Sequence, residues 1–436
     1  MATRNRVIYQ SEAVYTTVEA AYDVGQGVPQ ATKDLQRVQS ANYSFNINRT
    51  DVNQFGQLGA IDRIITESPS VSFDTSYLLA NMANEARLGF YVTPSGVEGP
   101  FRSCITYLTD STNANYLKNF YILNAKEGKD ADVTLATTAG TPNLAAATGQ
   151  YESIIGIGNA GLTSYAIEAA VGGFPTVSVS AEGMNMDFYA GPEGTGLPVG
   201  KSGVGQTATD TMPPYYISGV SPAVNPVDGT RLDPQTVSVA LPAPTGNAGE
   251  ISAGNVSVLR PGDIRLFLSK QTTDNVGRAA ESTSMNNPDY AGMDIADAHI
   301  QSFNISFDLS RSPIEQLGTK FAYARLIDFP VTVSMGIDAV VSDLTTGSLA
   351  EIIDCDGLFD ARIQLNSPEC GSAQLTLGKG IAANYILKGI KLDSQSFSLG
   401  MGDNKSVSLS FSSQIGGPEQ SGLGLFMSGY TGNVNV

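Results

Sequence analysis

A twelve-residue stretch occurs twice in this chain, and the duplication constrains the fold more than any other feature. Val38 to Arg49 reads VQSANYSFNINR and Ile300 to Arg311 reads IQSFNISFDLSR, aligned without a gap at an offset of 262 residues. Gln39, Ser40, Asn42, Ser44, Phe45 and Arg49 recur as Gln301, Ser302, Asn304, Ser306, Phe307 and Arg311. Both copies alternate large apolar with small polar residues. In the first, Tyr43, Phe45 and Ile47 fall on one face and Asn42, Ser44, Asn46 and Asn48 on the other. A period of two is the mark of a half-buried β-strand. Its recurrence means that a β-rich unit has been duplicated.

The echo continues beyond the strand. Gln57-Leu58-Gly59 returns as Gln316-Leu317-Gly318, the strand-like AIDRIIT before Pro69 as KFAYARLIDF before Pro330, and VSFDTSYLL as VTVSM. YLLANMANEARLG reads as a short helix, with GSLAEII as its counterpart. In the back halves, IIGIGNAGLTSYAIEAAV (154–171) aligns with QLTLGKGIAANYILKGIK (374–391), matching Tyr165 to Tyr385 at an offset of 220. The drop from 262 to 220 assigns 42 additional residues to the first copy, around 91–150, where TPSGVEGP and TLATTAGTPNLAAATG read as loops. Both copies close in strands, at 176–188 and 396–411, and residues 6–18 read as one or two strands at the start. Pro192 to Pro261 carries 10 of the 21 prolines, which marks a linker or small β insertion. The expected organisation is a first unit over 1–190, the insertion over 191–260, a second unit over 261–415 and a Gly-rich C-terminal arm over 416–436. The expected class is mainly β, with short helices.

Composition narrows the function. The charged fraction is 15%, below the usual ~25%. The net charge is −17, so the chain lacks the excess of Lys and Arg that gripping phosphates requires. Acidity also serves simple solubility. Cys104, Cys355 and Cys370 are odd in number, far apart and without CxxC spacing. Zinc is not expected; free buried thiols in a reducing compartment are, with a Cys355–Cys370 pair left open. MATRNRVIYQ lacks an apolar signal region, and no apolar run approaches the ~20 residues of a membrane span. The expectation is a protein made in a cytoplasm, with no membrane partner.

Several stretches resemble chemical motifs. Gly156-Ile157-Gly158-Asn159-Ala160-Gly161 sits between a strand-like and a helix-like segment, with Glu182 21 residues on. That is the layout of a dinucleotide fingerprint. It stands alone, without the further βαβ units of a nucleotide-binding sheet, and a strand–turn–helix connection explains it without a ligand. GTGLPVGKSG (194–203) has Thr195 where a phosphate loop needs Gly. His299 is the only histidine, with no nucleophile or acid placed near it by sequence. The pairs Asp294/Asp297 and Asp354/Asp356 do not have calcium-loop spacing. No catalytic, cofactor or metal residues are expected, and the chain is not read as an enzyme.

The paired stretches VQSANYSFNINRTDVNQFGQLGAIDRI and IQSFNISFDLSRSPIEQLGTKFAYARL, with their paired back halves, resemble the tail tube proteins of tailed bacteriophages. The shape is closest to the variety with two tube domains fused in one chain. The likeness is one of pattern, carried by no single diagnostic motif. It implies β-sandwich domains that each lend a hairpin to an oligomeric barrel. Single-domain relatives form six-membered rings, so a double chain implies a trimer, and rings stack into a conduit for DNA ejection. The implied partners are further copies of the chain, the tape measure protein and phage DNA in the lumen without tight binding, tail terminator and baseplate proteins, and a sheath if the tail contracts. The implied location is the virion, and a baseplate, distal tail or collar ring is the alternative. On that resemblance Asn42, Ser44, Asn46, Asn48, Asn304, Ser306, Asp308 and Ser310 are the lumen-lining candidates. Arg49, Asp51, Gln54, Phe55 and Arg311 are the candidates for subunit or ring-stacking contacts. For the two arginines, a solvated charge that discourages edge pairing is the competing reading.

Overall fold

A computed structural model of the chain describes residues 12–18, 33–46, 48–66, 70–94, 102–110, 116–125, 151–183, 185–190, 259, 264–270, 293–294, 299–314, 324–340, 358–366, 381–398, 406–417, 420 and 423–429. The first half contains β1 (Glu12–Val18), β2 (Lys33–Asp34), β3 (Val38–Asn46), β4 (Arg49–Val52), β5 (Asp62–Ile65) and β6 (Ser70–Leu78). It continues with α1 (Ala83–Leu88), β7 (Val92–Pro94), α2 (Thr106–Thr109), β8 (Lys118–Ala125), β9 (Tyr151–Ala170), β10 (Thr176–Gly183) and β11 (Asn185–Ala190). The second half contains β12 (Ile264–Lys270), β13 (Met293–Asp294), β14 (His299–Asp308), β15 (Arg311–Ile314) and β16 (Ala324–Ile327). After these come β17 (Val331–Val340), β18 (Phe359–Asn366), β19 (Ile381–Ser398), β20 (Ser406–Ile415) and β21 (Gly424–Gly429). The class is mainly β, as the alternation of small polar with β-branched and aromatic residues predicts.

Each half is the same two-layer unit, and the strand register shows it residue by residue. A front sheet runs β3–β6–β10–β9 in the first half and β14–β17–β20–β19 in the second. A back sheet runs β2–β1–β8–β9–β11 and β13–β12–β18–β19–β21. Tyr43 faces Phe73 as Ile305 faces Met335; Ala181 faces Leu162 as Phe411 faces Leu392. Even the bulges recur, at Ser180/Ala181 against β9 and at Leu392/Ser394 against β20. The long β9 and β19 belong to both layers, so one strand ties front to back in each unit.

This register corrects the alignment of the back halves. Val179 faces Tyr165 and its counterpart Leu409 faces Gln395, so the structural offset there is 230 residues, not 220. Tyr165 therefore corresponds to Gln395 and not to Tyr385. The first unit's surplus shrinks accordingly, from 42 residues to 32. Between the two stretches read as loops, which lie largely outside the described residues, the 91–150 region holds α2 and β8, and Phe120 and Ile122 of β8 are core. The expected turn and helix around GIGNAG are instead the uninterrupted β9. There Leu162, Tyr165, Ile167 and Ala169 are buried while Glu168 and Ala170 are exposed, a period of two. Within the expected C-terminal arm, β21 is a fully buried strand paired with β19 and, in parallel, with β7 of the first unit. The expected helix after β6 is present as α1, closed by Gly89 in the left-handed conformation (φ 101), where a side chain would be strained. Residues 191–258, GSLAEII, Cys355 and Cys370 lie outside the described residues; Cys104 is a free, buried thiol.

Besides the parallel β21–β7 pairing, the units join through a seam in their front sheets. β9 of the first pairs antiparallel with β14 of the second, setting Ile167 against Ile305 and Tyr165 against Phe307. The two front sheets become a single eight-stranded antiparallel sheet, β3–β6–β10–β9–β14–β17–β20–β19, and one hydrophobic core runs behind both halves.

Candidate assembly surface

One face of the eight-stranded sheet is apolar and, apart from β3 at its edge, buried; the other is a field of hydroxyls, amides and carboxylates. Cross-strand bonds knit that polar face. Ser40 and Ser44 meet Ser76 and Ser72 at 2.6 Å each, and Ser180 donates to Asp74 at 2.6 Å. Asp338 accepts from Ser302 at 2.7 Å and from Ser408 at 2.6 Å. Among the described residues of the sheet this face carries Asp74, Glu168, Glu182, Asp308 and Asp338, with Lys391 as its one cation. Of the residues singled out in sequence, Asn42, Ser44 and Asn46 lie here on β3, and Asn304, Ser306 and Asp308 on β14, all on the same side of one continuous sheet. Ser306, Asp308 and Ser310 also line a recess of about 390 Å³ with Asp328, Thr332 and Ser334. Asn48 is exposed beyond the end of β3.

The two signature strands share a pattern but not an environment. β14 is flanked on both sides, by β17 and β9, and its Phe303, Ile305 and Phe307 are 5%, 0% and 2% exposed. Among the described residues β3 pairs with β6 alone, and Tyr43 and Phe45 are each 43% exposed. They are only half covered because, among the described residues, no counterpart of β9 lies on that side of β3. Phe307 is stacked on Tyr165 of β9 at 5.4 Å and meets Phe90 edge-on at 6.0 Å. At the other end of the sheet, the 391–398 part of β19 pairs with β20 on one side and with nothing among the described residues on the other. The Nε2 of Gln395 there is buried without a hydrogen-bond partner. Among the described residues the sheet thus ends in two open edges, each presenting unpaired backbone donors and acceptors.

The hairpins that follow the signature strands differ in the same way. Arg311, expected at a contact between subunits, is 9% exposed and engaged within the chain at the seam. Its Nε donates to the Leu162 carbonyl and its Nη1 to the Arg325 carbonyl, both at 3.0 Å, and its guanidinium lies 5.3 Å from the centre of the Tyr116 ring. Burial pulls its pKa down to about 10. Arg325 beside it reaches Glu182 of the first unit at 2.7 Å, without the alignment of a hydrogen bond. The β15–β16 hairpin is therefore bolted onto the neighbouring unit. Among the described residues the β4–β5 hairpin has no such neighbour. Arg49, Asp51, Gln54 and Phe55 are all exposed on it; Asp51 accepts from Arg63 and Gln54 bonds Gln57 at 3.0 Å. Phe55 and Leu58 stand fully in solvent at its tip.

Behind the seam lies a polar cluster that sequence reasoning did not find. Glu85 of α1 is fully buried and accepts from Tyr77 at 2.8 Å and Tyr165 at 3.2 Å, and Tyr165 in turn lies 2.8 Å from the hydroxyl of Tyr385. Desolvation raises the Glu85 pKa to about 7 against the opposing hydrogen bonds. The four residues are scattered over the sequence and have no motif. Among the described residues, no group of three or more His, Cys, Asp and Glu is placed to hold a metal ion, and no helix is long and apolar enough to cross a membrane.

No protein-family model and no curated protein matches the chain. Among solved structures it is similar to a chain of the cryo-EM structure of the anti-feeding prophage (AFP) baseplate, 6-fold symmetrised, at 14% identity. That match covers 38% of this chain and 92% of that one, with a TM-score of 0.25. A likeness of that size does not establish a shared fold.

Proposed function

We propose that this chain is a structural subunit of a phage tail that closes into rings by pairing sheet edges, and that the rings stack into the tail tube. The observation that carries the reading is the eight-stranded front sheet, formed from two copies of one unit and, among the described residues, open at both ends. Each end is the counterpart of a strand already paired at the internal seam, so the joint that links the halves is available to link chains. A contact between different surfaces on two subunits closes into a ring when its rotation allows.

Strand geometry favours three chains over two. At about 4.8 Å per strand and a tilt near 40°, two copies close at a backbone diameter of about 32 Å, leaving about 20 Å between side chains. Three copies close at about 48 Å and leave about 36 Å, which clears a DNA duplex of about 20 Å. The hydroxyl and carboxylate face then lines the channel. Its acids repel phosphate and its serines offer no counter-charge, so DNA and the tape measure protein pass without being held. No catalysis and no cofactor enter the role, and terminator, baseplate and sheath proteins would meet the ends and outside of the tube.

Negative-stain microscopy of the purified chain at high concentration tests this. Rings of three-fold or pseudo-six-fold symmetry that stack into tubes are expected. Monomers persisting at high concentration would sink the reading, and rings that never stack would instead indicate a baseplate, distal tail or collar component.

A further inference from the structure

The internal seam is a template for a contact between chains. We infer that β3 of one copy adds to the open edge of β19 of the next in the register that β14 and β9 already use, with Arg49 docking beside Asp393. The inference rests on the reading of the chain as a ring-forming subunit and gives that reading residue-level content.

The register follows from the repeat. β14 corresponds to β3 through their matching ladders with β17 and β6, and β9 to β19 through theirs with β10 and β20. At the seam, Asn304, Ile305, Ser306, Phe307 and Asp308 face Glu168, Ile167, Ala166, Tyr165 and Ser164. Carried over, Asn42, Tyr43, Ser44, Phe45 and Asn46 of one chain face Ser398, Phe397, Ser396, Gln395 and Ser394 of the next. Among the described residues both strands are unpaired on the required side, and the pairing is antiparallel, as at the seam. It covers the half-exposed Tyr43 and Phe45 and places the unpartnered amide of Gln395 against the incoming strand. A β3–β3 pairing across a two-fold axis would satisfy one edge and leave β19 open; the template contains only the unlike joint.

The hairpin follows the strand. Arg311 holds the Leu162 carbonyl, and the counterparts are Arg49 and Leu392. Thr163, the residue bulged from the β9 ladder, corresponds to Asp393, which is exposed and bulged from the ladder of β19 with β20. Arg49 therefore meets a carbonyl and an acid where Arg311 meets a carbonyl and the Tyr116 ring. Gly161, where a Cβ would come within 2.7 Å of Arg311, corresponds to Lys391. Arg49 is thus held less closely, and the joint between chains is the weaker of the two.

The test is oxidative cross-linking of the full chain. Ser44→Cys with Ser396→Cys should convert monomer into a reducible ladder of dimer and trimer. Either single variant and the parent chain should stay monomeric on a non-reducing gel. Ser40→Cys with Ser394→Cys sits six residues out of register, about 20 Å apart at the joint, and should give no ladder. Arg49→Glu in the cross-linking background should cut the ladder about tenfold while leaving the thermal midpoint of the monomer unchanged. Rings visible by microscopy without the Ser44/Ser396 cross-link would overturn the register and spare the ring reading. Cross-linked arcs that never close or stack would uphold the register and remove the tube reading. Cross-linking of the Ser44→Cys single variant, of the out-of-register pair, or within the monomer alone would overturn the inference.

Discussion

The hydroxyls of Tyr165 and Tyr385 lie 2.8 Å apart, one in each half of the chain, and join in the core without being counterparts in the repeat. The bond links β9 to β19 and extends through Tyr165 to Glu85, so the halves are locked by polar chemistry behind the seam as well as by strand pairing across it. Replacing Tyr385 by Phe keeps the ring packing and removes this link. The expected cost is about 1 kcal/mol in the urea unfolding free energy. A change within error would mean that the bond contributes nothing net.

Glu85 makes the core sensitive to pH. Its pKa is raised from 4.5 to about 7 by burial, so the folded state holds a proton that the unfolded state releases between these values. Stability is therefore fullest below about pH 4.5 with respect to this group and declines as pH rises through 7, by on the order of 3 kcal/mol. Tyr77, Tyr165 and Tyr385, which surround it, all have pKa values pushed well above 10 by burial and stay neutral across that window. Glu85→Gln should flatten the decline and be more stable than the parent at pH 8. Urea midpoints at pH 5 and pH 8 decide it: parallel pH profiles would show that Glu85 is not the titrating group.

Phe45 and Phe307 occupy one position of the repeat at 43% and 2% exposure, and the same substitution should separate them. Phe307→Ala empties space beside Tyr165 and Phe90 and should cost about 3–5 kcal/mol in the monomer. Phe45→Ala should move monomer stability by less than about 1 kcal/mol and instead abolish assembly, read by sedimentation. Equal losses of monomer stability would show that β3 is already covered within one chain.

Among the described residues the polar face carries one cation, Lys391, and adding more should create friction. Ser178→Arg with Ser306→Arg places guanidinium groups on exposed and half-exposed positions of that face. Assembled tubes of this variant should retain duplex DNA at low salt and release it as salt rises, which a filter-binding titration follows. DNA retention unchanged from the parent would mean that the face does not line the channel.

Much of the fold is legible in the sequence because strand alternation is local. VQSANYSFNINR and IQSFNISFDLSR announce strands and a duplication without reference to anything else, and β3, β14, β5, β6 and β17 fall where the alternation places them, whereas the strand expected over 396–411 is the end of β19 and the start of β20. Where local pattern misleads, a long-range contact has settled the conformation. LTSYAIEAA is compatible with a helix, but Leu162, Tyr165 and Ile167 are drawn into a strand by β10 on one side and β14 on the other. The GKG and GNAG stretches suggested a repeat alignment ten residues out of step, because small residues match in many registers while a hydrogen-bonded ladder matches in one. The Glu85 cluster had no signal at all, since its four members come together only through folding.

By itself, then, the sequence determined the strand period, the mainly β class, the duplication and the acidic, cation-poor character of the polar positions, because each depends on residue type and spacing alone. The tertiary structure decided which copy of a shared pattern is buried. Phe45 and Phe307, and Arg49 and Arg311, are the same residues in the same local sequence, yet one of each pair is inside and the other at the surface. The difference is the presence of β9 beside β14 and, among the described residues, the absence of a counterpart beside β3. Edge pairing is a property of the neighbour and not of the strand, so no reading of the strand alone decides it.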